Sequence, residues 1–416
     1  MKKVLYIIGL LAVLASCARI ETPGAEDLHI GFDTYAVRTA TKAGDSYVAG
    51  SKTEDSNIPV NSKFGVFAYF HEGDATAVPP VTGKWNNANV NSNYSNMLLN
   101  EPVTRVEPSA GTYSYTYSNS RYWPDNTTDR ISFFAYYPYA ANAFVTDENA
   151  ASDGTGITLQ DPEDDHYAFY HNPVGFPKFK FVVNKDASKQ VDFMISDMCL
   201  NQSKKVWDGD HNQGLTGTAN GDVQFKFHHM LSQVRIKTVD FVVENNDVTV
   251  ELESFRFIGV PVSGIVTPSI KAADLDANGL PVNANGFARM EFDWSGFNSS
   301  NSSFTASIYK DSGTDAEKKA AIMLMIPHTF SEDPDKDIIE VTFKVTRAAN
   351  GAGEHYEYTG HLTTSLGSGG LEGWEPNKIY NYTISVSLKA ISVTAQIEDW
   401  PEASTDVNTI KVNLQS

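Results

Sequence analysis

Apolar residues recur at every second position in many short runs of this chain. The runs at 64–70, 339–345, 380–388 and 391–397 all show this period of two. Such a period places alternate side chains on opposite faces of a β-strand, whereas a helix needs a period near 3.6. Turns rich in Gly, Asn and Ser separate the runs, which is typical of antiparallel sandwiches. The chain is therefore predicted to be all-β.

Three local patterns refine this prediction. The runs 64–70 and 131–137 are apolar on both faces, which predicts centrally buried strands. The runs 380–388 and 391–397 follow each other directly and predict a hairpin or strand pair at the heart of a second domain. The segment 315–321 predicts one or two helical turns with Asp315 as the N-cap.

The length of 416 residues is enough for two domains. A shift to glycine-rich, polar sequence at 205–222 marks the predicted boundary. We therefore expect two antiparallel β-sandwich domains in tandem, over 28–222 and 223–416.

Charge and motif content exclude several functions. The chain carries 51 acidic and 32 basic residues, a net charge of −19, which disfavours broad contact with nucleic acid or an anionic membrane surface. The sequence contains no G-x-S-x-G elbow, H-E-x-x-H helix or P-loop. We therefore predict a protein that is not an enzyme, without catalytic residues, cofactor or metal.

The N-terminus predicts export. Lys2 and Lys3 precede a short apolar run over 4–15, as in a secretory signal. Leu14–Cys17 resembles the lipobox of bacterial lipoproteins, and the resemblance implies that Cys17 carries lipid after removal of the signal peptide. A plain signal peptide cut near the same place is the alternative. Residues 18–27 are then a polar tether, and no later run is long and apolar enough to enter the membrane.

Two further patterns have competing interpretations. Asp274–Gly279 matches the first six positions of a calcium loop, but the twelfth position is Asn285 instead of Glu, so a turn between strands is favoured. Tyr113, Tyr115 and Tyr117 lie on one side of a strand. That side is predicted to belong to the core, with a sugar-binding face as the alternative.

Three stretches together resemble the fimbrillins, the lipoprotein pilins of type V pili, in their broad Mfa-like sense. They are Arg121–Pro138, Val223–Val234 and Gly373–Trp400, each an aromatic-rich strand motif, and their order and spacing cover nearly the whole mature chain. The resemblance implies two β-sandwiches of transthyretin-like type. It also implies a surface-exposed location in a fimbrium at the outer membrane, held there first by the lipid anchor.

The same resemblance implies a maturation step. A trypsin-like protease cuts after a basic residue behind the first strand, and a strand from another subunit fills the groove that opens. Here the first strand carries Leu28, Ile30 and Phe32 on one face, and Arg38 follows it, with Lys42 as the nearby alternative. Arg38 is the predicted cleavage site because exposed loops with small residues are cut most readily.

The C-terminal segment is the predicted donor strand. Ile410, Val412 and Leu414 repeat the alternation of the first strand, so both segments suit the same half-buried groove. The alternative is that this tail folds back as an edge strand of its own domain. The predicted function is thus a structural pilin subunit that supports adhesion to a host or bacterial surface ligand; the competing hypothesis is a monomeric outer-membrane lipoprotein that binds glycan.

Overall fold

A computed structural model gives the fold of the chain. It describes residues 29–36, 58–71, 97–110, 112–124, 129–141, 155–160, 176–202, 222–242, 248–274, 286–300, 302–310, 312–333, 335–347, 356–367, 370–387 and 391–399. The strands formed by these residues are β1 (Phe32–Ala36), β2 (Lys63–His71), β3 (Leu98–Ser109), β4 (Thr112–Thr116), β5 (Arg130–Tyr137), β6 (Ile157–Gln160), β7 (Lys178–Val182), β8 (Met194–Ser196), β9 (Met198–Gln202), β10 (Val223–His229), β11 (Ser232–Val242), β12 (Val248–Ile258), β13 (Ser263–Ile270), β14 (Gly286–Ala288), β15 (Met290–Asn298), β16 (Ser303–Ala306), β17 (Ile322–Met325), β18 (His328–Thr329), β19 (Ile338–Arg347), β20 (Tyr356–Ser365), β21 (Gly373–Trp374), β22 (Lys378–Ser387) and β23 (Ile391–Asp399).

The all-β prediction is confirmed, and helix is scarce. The helix α1 covers Asp315–Ala321, as the sequence predicts, and short 3₁₀ turns cover Ala187–Lys189 and Ala272–Asp274. The predicted N-cap of α1 is wrong by one residue. Thr314 is the cap, because its hydroxyl accepts from the amide of Glu317 while the Glu317 carboxylate accepts from the Thr314 amide. No helix within the described ranges is long and apolar enough to cross a membrane.

Two sheets are built mainly around the first half of the chain. Sheet 1 has the order β1-β10-β8-β5-β2-β3-β4, with β9 paired to β5 and β14 paired to β9. Sheet 2 has the order β15-β13-β7-β6. The sheets pack through aromatic rings: Phe179 of β7 lies 5.1 Å from the ring of Tyr136 on β5.

Two more sheets form the second half. Sheet 3 has the order β17-β11-β22-β23, and sheet 4 the order β16-β12-β19-β20. They also pack through aromatic rings, with Phe241 of β11 6.0 Å from Phe343 of β19. The predicted pair β22 and β23 is an antiparallel hairpin. β22 lies inside its sheet and β23 at the edge, and the place of this hairpin at the heart of a second domain stays a prediction.

The sequence predicts antiparallel sheets, but two of the strand pairs are parallel. β1 runs parallel to β10, and β11 runs parallel to β22. Alternation could not reveal this, because it fixes the faces of a strand and not its direction. That the two sandwiches are of transthyretin-like type stays a prediction.

Strands also pair across the predicted domain boundary. β10, which begins at Val223, pairs with β1 and β8 in sheet 1, and β13 pairs with β7 in sheet 2. The segments 28–222 and 223–416 therefore share two sheets. Their division into two domains stays a prediction.

Sheet 1 is apolar on both faces, as the runs 64–70 and 131–137 predict. On one face Phe134 and Tyr136 belong to a main core that also contains residues of the other three large sheets. On the opposite face Phe133 and Ala135 belong to a separate cluster, which we call the smaller core. The smaller core consists of Ile30, Phe32, Ile58, Phe64, Val66, Ala68, Leu98, Val103, Trp123, Ile131, Phe133, Ala135, Tyr137, Met194, Cys199, Val223, Phe225 and Phe227.

Candidate functional site

The first strand occupies a slot at the end of sheet 1. β1 pairs with β10 in parallel register, from Phe32 opposite Val223 to Ala36 opposite Phe227. The Val223 amide donates to the Gly31 carbonyl at 2.9 Å and extends this ladder by one bond. β10 therefore forms one wall of the slot.

Side chains of the first strand fill the smaller core. Ile30 is fully buried and Phe32 is 2% exposed. The Phe32 ring stacks on Phe225, with centroids 5.7 Å apart and an interplanar angle of 22°, and meets the edge of Phe133 at 6.0 Å. Because apolar burial stabilises a side chain by about 1.5–3 kcal/mol, Ile30 and Phe32 together contribute about 3–6 kcal/mol to the retention of β1.

The other wall of the slot is the segment 115–122, which consists of the last two residues of β4 and the six residues after it. The Ile30 amide donates to the Arg121 carbonyl at 3.0 Å, and the Tyr117 hydroxyl donates to the Ile30 carbonyl at 2.8 Å. The Tyr117 ring also lies 5.2 Å from that of Phe32. This segment thus covers the edge of the first strand that faces away from β10.

Tyr115 makes the second set of bonds on this wall. Its hydroxyl lies 2.8 Å from the Thr34 hydroxyl, accepts from the Thr34 amide at 3.2 Å and donates to the Asp33 carboxylate at 3.2 Å. Burial raises the pKa of Tyr115 and of Tyr117 to about 12, so both hydroxyls keep their protons at neutral pH. Two phenols therefore take the place of a further strand beside β1.

A carboxylate, that of Asp222, lies beside the start of the first strand. The Asp222 carboxylate, just before β10, lies so close to the Gly31 backbone, just before β1, that a side chain at Gly31 would collide with it. Burial, and secondarily the nearby charge of Asp33, raises the pKa of Asp222. The charged form of Asp222 is thus disfavoured beside β1.

The structure brings together part of the predicted site. Ile30 and Phe32 are buried as expected, but β1 begins only at Phe32, because Ile30 bonds to Arg121 instead of to β10. The remaining predicted residues lie outside the described residues: Cys17, Leu28, Arg38, Lys42, Ile410, Val412 and Leu414. Their roles stay predictions.

The alternation of the three tyrosines correctly predicts the packing of two of them against the core but not their hydrogen bonds. Tyr115 and Tyr117 pack against the smaller core, as predicted, whereas Tyr113 is 41% exposed beneath the Arg105 guanidinium, 3.9 Å from its ring centroid. The sequence does not predict the bonds from Tyr115 and Tyr117 to the first strand. The alternation of the three residues was the only signal in the sequence, and it does not identify hydroxyl partners.

The first aspartate of the possible calcium loop, Asp274, is paired with an arginine side chain. The Asp274 carboxylate accepts from the Arg289 side chain at 2.6 Å and from the Arg289 amide at 2.9 Å. These bonds lower the pKa of Asp274 and make Arg289 its counter-ion. The rest of the pattern, residues 275–285, lies outside the described residues.

Comparison with known protein sequences shows which family the chain is similar to. The sequence profile described as fimbrillin-like (Mfa_like_1) matches residues 51–400. Fimbrium subunit Fim1C of Phocaeicola vulgatus is 29% identical over 237 residues, which are 56% of this chain and 50% of that protein. The chain thus spans about half the length of this curated relative.

Solved structures extend the similarity at the level of fold. A fimbrial protein from Bacteroides vulgatus ATCC 8482 has a TM-score of 0.51 at 16% identity, over 90% of this chain and 99% of that one. The C-terminally truncated tip fimbrial protein Mfa3 from Porphyromonas gingivalis has a TM-score of 0.29 at 14% identity, over 82% of this chain and 95% of that one. The first of these similarities supports a shared fold.

Proposed function

The chain belongs to the fimbrillin-like family, and from that premise we propose that it is a structural subunit of a surface fimbria that supports adhesion. In this proposal the chain is exported as a lipoprotein to the outer membrane. Removal of its first strand then opens the slot, and a strand of another subunit fills it. Other copies or related subunits, and a trypsin-like protease, are therefore its partners.

The observation that carries the proposal is the way β1 is held. Its partners are β10 and the segment 115–122, both far from it in sequence, and its contacts with the described residues are noncovalent. A cut between β1 and the rest of the chain would therefore leave a strand that can dissociate from an otherwise complete sheet. The slot left behind would expose the edge of β10 and an aromatic floor, the features that strand addition uses.

The processing site proposed on sequence grounds agrees with this arrangement. Arg38 follows Ala36, the last residue of β1, with one residue between them. Cleavage after Arg38 would separate β1 from everything that follows, and Thr39 would be the new N-terminus. Cleavage at Lys42 would leave Ala43 instead.

The experiment that tests assembly compares cut and uncut chains. Wild-type protein and the double variant Arg38→Gln, Lys42→Gln are treated with a trypsin-like protease, and fibres are counted by electron microscopy. We expect fibres only from the wild type, with Thr39 at the N-terminus of their subunits. Equal numbers of fibres from the double variant would show that removal of the first strand is not needed.

Anchoring has its own test. Cys17→Ser should leave the precursor without lipid and stop its delivery to the outer membrane, because the thiol is the proposed attachment point. Phase partitioning in detergent measures this, with Cys199→Ser as the matched control. Partitioning of the Cys17 variant into the detergent phase, as for the wild type, would refute the lipoprotein proposal.

A further inference from the structure

We infer that the slot selects its strand by a hydroxyl group, and that Tyr115 is the residue that reads it. The preferred strand has Ser or Thr two positions after the apolar residue that stacks on Phe225. This inference rests on the proposed function, since it assumes that another strand can replace β1.

The hydrogen bonds of Tyr115 define the requirement. A phenol has one proton and can accept further bonds. The Tyr115 and Thr34 hydroxyls lie 2.8 Å apart, where either can donate, and the Asp33 carboxylate, which can only accept, lies 3.2 Å from the phenol oxygen. We assign the phenol proton to the carboxylate, because a charged acceptor binds it more strongly, and this assignment makes the Thr34 hydroxyl the donor to Tyr115. Thr34 is 2% exposed, which leaves water little access to replace it. An apolar residue in its place would remove the donor from a buried polar contact.

Tyr117 provides an internal contrast. Its hydroxyl donates to the backbone carbonyl of Ile30, which every residue possesses. It also accepts from the Arg121 amide of its own wall at 3.2 Å. Tyr117 therefore strengthens the binding of any strand, whereas Tyr115 distinguishes one side chain from another.

The sequence of the tail satisfies the same requirement. Matching Ile410, Val412 and Leu414 to Leu28, Ile30 and Phe32 places Ser416 at the position of Thr34. The proposed donor thus carries a hydroxyl that can pair with Tyr115, with Gln415 in the place of Asp33. The partner that the slot prefers is a strand of the pattern apolar-x-apolar-x-Ser/Thr.

The test is peptide exchange in the full chain. A recognition sequence for a site-specific protease replaces residues 39–42, and one cut there leaves β1 in place until it exchanges. Fluorescent peptides of residues 29–36 then compete for the slot, with Thr, Val, Ser or Ala at position 34. The same competition is measured in the Tyr115→Phe and Tyr117→Phe chains, both of which keep the aromatic ring.

The expected result is a preference that depends on Tyr115. Thr34 should bind about tenfold more tightly than Thr34→Val, and Thr34→Ser should exceed Thr34→Ala by a similar factor, the size expected for one buried hydrogen bond. Tyr115→Phe should reduce both ratios to about one, while Tyr117→Phe should weaken all four peptides equally and keep the ratios. The Ser and Ala pair tests the hydroxyl in the wild-type chain, whatever the stability of the variants.

Two results would overturn the inference in distinguishable ways. If peptides exchange but Thr and Val bind equally, or the preference survives in Tyr115→Phe, hydroxyl selection is wrong and the proposed function stands. If none of the peptides enters the slot of any chain, strand replacement itself is wrong, and the selection falls with it.

Discussion

β1 and β23 both lie at the end of a sheet, but they are attached to the molecule in opposite ways. β23 has nine residues and follows its antiparallel partner β22 directly in sequence. β1 has five residues, and its parallel partner β10 begins only at Val223. A hairpin strand stays covalently beside its partner, whereas β1 depends on noncovalent contacts once the chain behind it is cut.

β1 is also packed into a core of its own and has hydrogen-bonding partners along both edges. β1 covers a core of its own, in which Phe32 touches rings on β5 and β10. Its outer edge is bonded by Tyr115 and Tyr117, so both edges of the strand have partners. An edge strand that is short, separable and deeply packed suits replacement, because its loss exposes a specific apolar slot and not a featureless edge.

The largest expected effect is on assembly. Deletion of residues 407–416, or Val412→Asp alone, should abolish fibres after cleavage, because a buried aspartate cannot take the place of an apolar residue in the slot. Both variants should remain folded monomers by circular dichroism. Asn413→Asp adds the same charge on the opposite face of the strand and serves as the control. Fibres from either disruptive variant would show that the tail is not the donor.

A substitution in each edge strand sharpens the comparison. Phe32→Ala should lower the free energy of unfolding by about 3–5 kcal/mol, since it empties a buried aromatic site. Ile397→Ala in β23 removes a half-buried side chain and should cost about 1–2 kcal/mol. Denaturant unfolding of the uncut chain measures both. Equal losses would contradict the view that β1 is the more deeply packed of the two strands.

Alkaline pH should release β1 through its tyrosine wall. The folded pKa of Tyr115 is raised to about 12 from an ordinary value near 10, so its contribution is full below about pH 10 and is lost as the pH rises through about 12. Retention of β1 in the cut chain should fall over this window, and less steeply in Tyr115→Phe. Tyr113→Phe, in an exposed ring, should leave the profile unchanged. A profile identical in all three chains would exclude Tyr115 as its source.

The smallest effect concerns Asp222. Its pKa is raised, so the stability it contributes is present at acid pH and lost as the pH rises through the folded value. Asp222→Asn should therefore tighten retention of β1 at neutral pH, by less than about 1 kcal/mol since the side chain is only partly buried. The gain should disappear below about pH 4. Competition by the same peptide at both pH values measures it, and a loss of retention at neutral pH would contradict the sign.

Much of the architecture could be predicted from the sequence. Alternation indicated the two-faced strands β2 and β5 and the hairpin of β22 with β23, because each residue's face is a local property. Cys199 lies in the largely apolar run 193–200, which predicts a buried residue in the same way, and it is fully buried.

The remaining features depend on partners that are distant in sequence. The parallel pairing of β1 with β10 joins segments with no local signal for each other. The bonds of Tyr115 to Thr34 and Asp33 arise only when β4 and β1 close on the smaller core. Alternation placed Tyr115 on the correct side, but the partner of its hydroxyl is a tertiary property.

The most direct test of a replaceable first strand is exchange during refolding. The full chain, cut once at residues 39–42, is unfolded and refolded with an excess of isotope-labelled peptide of residues 29–36, then weighed by native mass spectrometry. We predict that the labelled peptide replaces the original strand in proportion to its excess, and that Phe32→Ala peptide fails to do so. A refolded protein that keeps only its original strand, or that folds fully with the slot empty, would contradict the account.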